Sequence, residues 1–467
     1  MKLRDWQRDC LDQATRHYQC GHRHFLCLAT PGAGKTHFAS ALVAQLLAAD
    51  QIDLVICFAP AVIVAEDFQT ALAAQTGARF DGRLGARGLT LTYQAMLSQP
   101  AAFWSLFRTH RVLAIFDEIH HCAGQGPEDA NAWGTPLITH IQDSAAYTLA
   151  LTGTPWRSDR RPIALARYGA DQVDCDFRYG LDRAIAEGVC RIPRLILIDN
   201  DNIQVRREGH TEHYRGLKAL VDDEACRYEE VLRSPALIAY SLRQATRKLD
   251  QVRRTDPRAG GLVVASSVEH ARQIVRILAT DFGVSAAVAT YQERDPLATI
   301  RDFTDSDAPW IVSVGMISEG TNVPRLRVCC HLTRVKTELY FRQVLGRILR
   351  ANGARGEHAF FYMPAEPTLV EYAERLIEDI PGQQSVRRQS LPGPLPVVPG
   401  GTDGQAPPDQ KPVTPDVTVD FTAPDGIRPP DTGSAPSGLA QTYESCVLWS
   451  EHFRAQLLAI HGLPSPL

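Results

Sequence analysis

Short apolar runs alternate with longer segments of helical periodicity along most of the chain. Continuous apolar runs of this length are typical of parallel strands that are buried on both faces. A first series of runs occupies 25–29, 54–59, 112–117 and 147–152, and a second occupies 261–267, 310–315, 327–332 and 358–363. The pattern predicts an α/β fold with two domains in tandem, each a parallel sheet flanked by helices.

The segments between these runs predict the helices and the domain boundaries. Apolar residues recur at helical spacing in 36–50 and in 269–280. The connecting region, about 200–258, is rich in Arg and is also predicted to be helical. Its basic residues either contact phosphates or form a solvated helix face, and the sequence leaves both open. We expect a first domain over residues 1–198 and a second over 199–380.

The composition changes sharply after residue 380. Of the 30 Pro residues, 12 fall between Pro392 and Pro436, among Gly, Asp, Thr and Ser. Such a segment buries too little apolar surface to fold, so residues 381–438 are predicted to form a disordered, flexible linker. Residues 439–467 follow with apolar positions at helical spacing. This C-terminal helix either packs back on the body or docks a partner, and the long tether favours a partner or self-association.

Composition and charge limit the class of protein. The chain has 467 residues, 44% of them hydrophobic, which suffices for ordinary globular cores. No signal peptide or apolar membrane span is evident, so we expect a cytoplasmic protein without a membrane partner. The 11 Cys form no C-x-x-C pair, which argues against a zinc site. The formal charge of -4 means that any nucleic-acid surface must be a local groove.

A candidate phosphate-binding loop, "ATPGAGKT", begins at Ala29 and lies between a predicted strand and a predicted helix. It matches G-x-x-x-x-G-K-[ST] except that Ala29 replaces the first Gly. Gly32 and Gly34 let backbone amides curl around phosphate oxygens, Lys35 reaches the β and γ phosphates, and the Thr36 hydroxyl ligates Mg²⁺. Ala29 requires only a small side chain and a negative φ. The sequence therefore predicts a nucleotide site.

A pair of carboxylates completes the site that this loop requires. Asp117 and Glu118 end the apolar run "VLAIFDEIHH", and both can face the phosphates where the strand turns. Asp117 is expected to hold Mg²⁺, and Glu118 to orient or deprotonate the attacking water. The adjacent His120 and His121 are too close in sequence to converge on one zinc ion. The pair predicts hydrolysis of the bound nucleotide.

These motifs carry a family resemblance. "ATPGAGKT", "DEIH" and "LTGTP" (151–155), in this order, resemble motifs I, II and III of superfamily 2 helicases and translocases. "LRDWQRDCLD" (3–12) is similar to the element in which a Gln recognises adenine, and "LTYQAM" (91–96) resembles a nucleic-acid-contacting element. The details look most like the XPB and type III restriction-motor (ResIII-like) group. The resemblance implies two RecA-like domains with an ATP cleft between them.

The second half of the chain carries the motifs that this resemblance implies. "FRQVLGRILR" (341–350) matches motif VI, Q-x-x-G-R-x-x-R, and helical spacing places its Gln and Arg residues on one face. "SVGMISEGTNVPRLR" (313–327) resembles motif V, with Asn322 where the family often has Asp. "LVVASS" (262–267) looks like motif IV, in which Ser266 or Ser267 is a phosphate contact. Arg347 and Arg350 are implied to stabilise charge at the γ phosphate.

The resemblance implies a role for each matching residue. The implied catalytic residues are Lys35, Glu118, Gln343, Arg347 and Arg350. The implied ATP-binding residues are Arg4, Gln7, Thr30, Pro31, Gly32, Ala33, Gly34, Lys35, Thr36, Asp117 and Gly320. The implied Mg²⁺ ligands are Thr36 and Asp117. The implied nucleic-acid contacts are Pro60, Thr92, Tyr93, Ser266 and Thr321. The implied coupling residues are His120, Thr152 and Thr154.

The functional expectation is an ATP-dependent DNA helicase or double-strand DNA translocase driven by Mg²⁺-ATP hydrolysis. Two alternatives remain open. An RNA helicase uses the same phosphate track unless the 2′-OH is read. A nucleotide-gated DNA-binding subunit would recruit a nuclease or another effector through the C-terminal helix. The resemblance favours DNA over RNA as the partner.

Overall fold

The structure is a computed structural model. It describes residues 3–397 apart from residues 127, 155–156, 158–160, 170–171, 208–209, 318–320, 352–355 and 381–384. The C-terminal helix expected within 439–467, and all of the expected linker beyond residue 397, therefore lie outside the described residues.

The first half of the chain forms one α/β unit. Its strands are β1 (His24–Ala29), β2 (Leu54–Ala59), β3 (Gly88–Thr92), β4 (Val112–Asp117), β5 (Tyr147–Thr152), β6 (Arg167–Gly169), β7 (Gln172–Asp174) and β8 (Phe177–Tyr179). Its helices are α1 (Asp5–Gln19), α2 (Lys35–Ala48), α3 (Val62–Thr76), α4 (Tyr93–Leu97), α5 (Ala101–Thr109), α6 (Gly134–Pro136) and α7 (Leu181–Ala186). A 3₁₀ turn (Ile119–His121) and a π-helical turn (Leu137–Ile141) complete the unit.

The first sheet has six strands in the order β3-β2-β4-β5-β1-β8, and all its pairings are parallel. The short strands β6 and β7 form a separate antiparallel pair. Along β2, successive residues such as Val55 and Ile56 are buried on opposite faces of the sheet, in two different apolar clusters. Because side chains alternate along a strand, burial on both faces explains why these strands are continuously apolar.

The second half of the chain forms another α/β unit. Its strands are β9 (Ile192–Asp199), β10 (Ile203–Arg207), β11 (His210–Tyr214), β12 (Gly260–Ala265), β13 (Ala286–Ala289), β14 (Trp310–Ser313), β15 (Leu326–Leu332), β16 (His358–Pro364), β17 (Val386–Ser390) and β18 (Leu395–Val397). Its helices are α8 (Leu217–Asp222), α9 (Tyr228–Leu232), α10 (Pro235–Arg253), α11 (Val268–Phe282), α12 (Pro296–Asp305), α13 (Glu338–Leu349) and α14 (Pro367–Glu378).

The second sheet has seven strands in the order β13-β14-β12-β15-β16-β9-β17, again with every pairing parallel. Each of the eight apolar runs in the sequence forms a strand of one of the two large sheets. The predicted fold class, α/β with two parallel sheets flanked by helices, is therefore confirmed.

Two expected boundaries differ from the structure. We expected the second domain to begin at residue 199, but β9 already pairs with β16 in the second sheet. We expected a linker from residue 381, but β17 pairs with β9 and β18 pairs with β10. Leu395 and Val397 are each 1% exposed, so apolar side chains between the prolines do enter a core. The sequence prediction missed these strands because Pro392 and the following prolines dominate the composition of the segment.

The connecting region also differs in part. Helix α10 lies where the sequence predicted it, but β10 and β11 form an antiparallel hairpin that joins β18 in a three-stranded sheet. Ile203 and Val205 of β10 are fully buried, while residues 210–213 of β11 are exposed. The alternating burial of β10 is that of a strand with one buried face, and the sequence prediction of helix over the whole region was wrong here.

Within the described residues, no helix is long and apolar enough to span a membrane. The cysteines in this part of the chain are free thiols, and most of them are buried.

Candidate functional site

The phosphate loop lies at the carboxyl end of β1 and leads directly into α2. Gly32 and Gly34 have φ values of 81° and 97°, in the left-handed region that favours glycine. Ala29 is fully buried, and its φ is not positive. An alanine therefore fits this position, as the sequence predicted. Gly34 caps the first turn of α2, so the free amides of that helix end face the loop.

Lys35 joins the loop to the second candidate motif. Its Nζ lies 3.0 Å from Oε1 of Glu118 and donates to the backbone oxygen of Ala29 over 3.3 Å. The side chain is only 9% exposed, so the ammonium is held between strand β1 and the carboxylate. The structure thus brings together the lysine and the carboxylate that the sequence assigned to the phosphates and to the attacking water.

Glu118 adopts an unusual backbone conformation. Its φ and ψ are 51° and 56°, in the left-handed region, which is uncommon for residues other than Gly and clusters at functional sites. Oε2 of Glu118 accepts a hydrogen bond from the Gly153 amide over 3.0 Å. Burial alone raises the pKa of Glu118, but Lys35, His120 and this amide together lower it to about 2. The carboxylate is therefore ionised at neutral pH.

Asp117 and Thr36 are the candidate magnesium ligands. Asp117 ends β4 and is 7% exposed, while Thr36 stands in the first turn of α2 and is half-buried. Mg²⁺ prefers hard oxygen ligands and commonly takes only one or two protein carboxylates, the rest coming from phosphates and water. A carboxylate and a hydroxyl at the carboxyl edge of the sheet fit that chemistry. Bound Mg²⁺ would neutralise charge on the phosphates.

The segment expected to recognise adenine packs directly against the phosphate loop. Arg4 donates from Nη1 to the backbone oxygen of Ala33 over 2.7 Å, and Gln7 donates from Nε2 to that of Gly34 over 2.9 Å. Oε1 of Gln7 accepts from the Arg4 amide over 2.8 Å, so the Gln7 side chain satisfies a free backbone amide at the start of α1. Both polar atoms of the Gln7 side-chain amide therefore bond to the protein. The amide has two N–H donors and two lone pairs on its oxygen, so each atom can make one further hydrogen bond.

The three residues predicted to couple hydrolysis to movement lie together beside Glu118. Nδ1 of His120 lies 3.0 Å from the Thr152 hydroxyl and 3.4 Å from the Thr154 hydroxyl. Thr152 in turn donates to the backbone oxygen of Thr154 over 2.8 Å. All three are at most 2% exposed. The buried Arg157 donates to the backbone oxygen of His120, a contact that the sequence gave no sign of. The motif II and motif III segments thus form one buried hydrogen-bonded cluster.

Arg350 of the second unit reaches the phosphate loop of the first. A Cβ added to Gly32 would lie 2.6 Å from Cγ of Arg350, so the arginine stem lies directly on the loop. Nη1 of Arg350 donates to Oδ1 of Asn322. Burial, followed by repulsion from Arg347, lowers the pKa of Arg350 to about 9, which leaves it charged at neutral pH. Asn322, where the family often has Asp, therefore holds the guanidinium through a neutral acceptor.

The rest of motif VI is only partly as predicted. Gln343 and Arg347 lie on α13, and Nη1 of Arg347 donates to the backbone oxygen of Thr321 over 2.7 Å. Arg350 is not on the helix, because α13 ends at Leu349 and Arg350 has extended backbone that bridges to Cys190. The expectation that one helix face carries all three side chains was wrong for Arg350. Gly320 lies outside the described residues.

Pro31 of the first unit packs closely against Gly346 of the second. A Cβ added to Gly346 would lie 2.6 Å from Cβ of Pro31, and one added to Gly153 would lie 3.1 Å from its ring. The Cys190 thiol lies 3.8 Å from the Pro31 oxygen. The sequence gave only one sign of this packing, the Gly of Q-x-x-G-R-x-x-R. Small residues on both sides allow the proline ring to lie between the first and second units.

Four of the five predicted nucleic-acid contacts lie at strand ends or in the motif V loop. Pro60 follows β2 and Thr92 ends β3, both partly exposed, and Ser266 follows β12 with its hydroxyl 2.9 Å from Nδ1 of His270. Thr321 is 5% exposed, beside Arg347. The fifth prediction was wrong, because Tyr93 is fully buried and cannot contact nucleic acid. Its hydroxyl donates to the backbone oxygen of Asp117 over 2.8 Å.

The fold and the site together define a class of protein. Two parallel α/β units, one carrying a phosphate loop and a carboxylate pair and the other bringing an arginine to that loop, are the features of a nucleoside-triphosphate-binding motor domain pair. Comparisons with known proteins agree with this class. Residues 1–157 match the family model of the type III restriction enzyme res subunit, ResIII.

Similar proteins extend the match along the chain. A relative is the uncharacterized protein Rv2917 of Mycobacterium tuberculosis, 32% identical over 391 residues, which are 80% of this chain and 63% of that protein. The chain thus spans less than two thirds of the length of that relative. A fragment of a putative HsdR subunit of a type I restriction enzyme from Vibrio vulnificus matches with a TM-score of 0.58 and 17% identity, over 84% of this chain and 69% of that one.

Two further solved structures share the fold. The type ISP restriction-modification enzyme LlaBIII bound to DNA matches with a TM-score of 0.54 and 13% identity, over 84% of this chain and 31% of that one. A variant of S. cerevisiae Dbp5 bound to RNA and ADP BeF3 matches with a TM-score of 0.51 and 13% identity, over 84% and 91% of the two chains. The two units share the fold of RecA-like domains, and residues 1–157 are similar to the ResIII family.

Proposed function

We propose that this protein is an ATP-dependent DNA helicase or double-strand DNA translocase driven by Mg²⁺-ATP hydrolysis. The observation that carries the proposal is the contact of Arg350 with Gly32 of the phosphate loop. An arginine brought from a second domain to the γ phosphate is the means by which nucleotide hydrolysis is linked to domain closure. Such arginines contribute roughly 10³ to 10⁵ in rate.

Each residue of the site has a chemical task in this proposal. Lys35 turns from Glu118 to the β and γ phosphates when ATP binds, and Asp117 and Thr36 would hold the magnesium ion. Glu118, ionised at neutral pH, accepts a hydrogen bond from the attacking water and orients it in line with the γ phosphate. Arg350 stabilises the charge that develops on the transferred phosphoryl group. Hydrolysis then loosens the contact between the domains.

Nucleic acid is proposed to lie across the carboxyl ends of the two sheets. Pro60, Thr92 and Ser266 are partly exposed there, and the backbone oxygen of Thr321 accepts a hydrogen bond from Arg347. Alternating closure and opening of the cleft moves one group of contacts relative to the other along the phosphate backbone. We favour DNA because the group resemblance is to restriction motors, and LlaBIII was solved bound to DNA.

The test is ATP hydrolysis measured with single-stranded DNA, duplex DNA and RNA in parallel. We expect stimulation by DNA, and loss of at least about 100-fold in kcat for Lys35→Ala, Glu118→Gln and Arg350→Ala. Stimulation by RNA alone would instead establish an RNA helicase. If the wild-type protein binds ATP without hydrolysing it, the result would instead support a nucleotide-gated DNA-binding subunit. Full DNA-stimulated turnover in Glu118→Gln would refute the catalytic assignment.

A further inference from the structure

The buried Tyr93 hydroxyl lies beside the two candidate carboxylates and bonds to the backbone oxygen of Asp117. Its ring stacks on Trp133 with centroids 5.7 Å apart and lies 6.1 Å from the ring of His121. The ring is fully buried, so its packing fixes where the hydroxyl lies. The hydrogen bond to the Asp117 backbone oxygen, 2.8 Å long, therefore restrains Asp117.

The restrained oxygen belongs to the peptide group that joins Asp117 to Glu118. Since a peptide group is planar, holding its oxygen also fixes the orientation of the Glu118 nitrogen. Glu118 has a φ of 51°, a conformation that needs support from its surroundings in a residue other than Gly. This left-handed turn directs the carboxylate to Nζ of Lys35 and to the Gly153 amide, each at 3.0 Å. The Tyr93 hydroxyl is well placed to supply that support.

We propose that Tyr93 is a positioning residue for hydrolysis, acting through the Asp117–Glu118 peptide so that both carboxylates face the phosphates. The inference rests on the proposed ATP hydrolysis. It also explains why a tyrosine in a segment that resembles a nucleic-acid-contacting element is buried. Its neighbour Thr92 occupies the partly exposed end of β3, where it caps α4 by accepting from the Ala95 amide over 3.2 Å.

A matched pair of variants tests this role. Tyr18 is also buried, at 2% exposure, and its hydroxyl donates to the Thr148 backbone oxygen over 2.9 Å in the same domain. Tyr93→Phe and Tyr18→Phe each remove one buried hydrogen bond to a backbone oxygen. We expect Tyr93→Phe to lower kcat about tenfold or more with the KM for ATP changed less than about twofold, and Tyr18→Phe to keep the wild-type kcat.

A second readout needs no nucleotide. The Gly153 amide bonds to Oε2 of Glu118, so its hydrogen exchange, followed by NMR, reports whether the carboxylate is in place. We expect faster exchange in Tyr93→Phe and unchanged exchange in Tyr18→Phe. Trp133→Phe keeps an aromatic ring against Tyr93 and keeps the hydroxyl, so it should retain kcat. An equal loss of kcat in Trp133→Phe would assign the effect to packing and overturn the proposal.

The remaining outcomes separate the two levels of inference. If the wild-type protein hydrolyses ATP and Tyr93→Phe does so equally well with unchanged exchange at Gly153, the positioning role is refuted and the proposed function stands. If the wild-type protein hydrolyses ATP no faster than Lys35→Ala, the proposed function fails. The exchange rate at Gly153 then still decides whether Tyr93 holds Glu118 in place.

Discussion

Gly346 of α13 faces Pro31 of the phosphate loop so closely that a Cβ on Gly346 would lie 2.6 Å from Cβ of the proline. Real side chains do not approach this closely, and the proline ring cannot rotate away because its φ is locked. The absence of a side chain at residue 346 is therefore a condition for the contact between the two domains. The same approach brings Arg350 onto Gly32.

Adding a methyl group at this contact should separate the domains. We expect Gly346→Ala to lower the stimulated kcat for ATP hydrolysis at least tenfold, because Arg350 moves away from the γ phosphate. Gly169→Ala is the control, since Gly169 has no neighbour within 4 Å of an added Cβ. Steady-state kinetics of both variants provide the measurement, and wild-type kcat in Gly346→Ala would contradict the closed arrangement.

Asn322 should act through Arg350. We expect Asn322→Ala to lower kcat about tenfold with little change in the KM for ATP, because the guanidinium loses the acceptor that orients it. If Asn322 has no other role, the same substitution made in Arg350→Ala should cause no further loss. Additive losses in the double variant would show that Asn322 contributes by another route.

Magnesium dependence should identify Asp117 as the metal ligand. We expect Asp117→Asn to raise the Mg²⁺ concentration needed for half-maximal hydrolysis about tenfold or more, and chelation of Mg²⁺ to abolish hydrolysis by the wild-type protein. Asp53 precedes β2 at the opposite edge of the same sheet, paired with Arg111, so Asp53→Asn is the control. Titration of activity with Mg²⁺ decides the assignment, and equal dependence in the two variants would refute it.

His331 should make the protein sensitive to acid. It is fully buried in β15, and burial lowers its pKa to about 4. Between the ordinary histidine pKa of about 6.5 and this value, the unfolded chain binds a proton that the folded chain does not. The free energy of unfolding therefore falls with falling pH in this window, by up to about 1.4 kcal/mol per pH unit for this group.

The variant His331→Phe should reduce that slope, since a phenyl ring fits beside Phe361, whose centroid is 5.4 Å away. The exposed His210 provides the control variant His210→Gln, which should keep the wild-type slope. Urea unfolding at several values between pH 6.5 and pH 4 gives the comparison. An unchanged slope in His331→Phe would place the acid sensitivity elsewhere.

The end of the second domain can be tested by truncation. A chain that ends at residue 380 loses β17 and β18, and with them the buried Leu391, Leu395 and Val397. Burial of such side chains contributes about 1.5 to 3 kcal/mol each. We expect thermal unfolding at a clearly lower temperature than for a chain that ends at residue 397. Equal unfolding temperatures for the two chains would instead support a second domain that ends at residue 380, as the composition predicted.

Sequence patterns predicted those parts of the site in which spacing determines geometry. Lys35 follows a phosphate loop that must join a strand to a helix, and Glu118 directly follows a buried apolar strand, so their meeting followed from the fold class. Tyr93 could not be placed in this way, because a residue at the end of a strand faces either the solvent or the core. Its burial depends on Trp133, which comes from a loop distant in sequence.

The errors elsewhere also have physical causes. Arg350 shares helical spacing with Arg347, but the helix ends one residue earlier where the chain bridges to Cys190. Strands β17 and β18 lie in a region whose proline content indicated a linker. Both strands can form there because each lies at the edge of its sheet. Edge strands tolerate residues and compositions that central strands do not.

Cys190 lies where the chain passes from the first sheet to the second, bridged to Arg350 and 3.8 Å from the Pro31 oxygen. The crossing point between the domains therefore lies beside the candidate phosphate loop. A rotation about this point moves Pro31 and Arg350 by little and moves distant groups in proportion to their distance from it. In the proposed motor, a small rotation at the phosphate loop would therefore produce its largest displacement at the outer edges of the sheets.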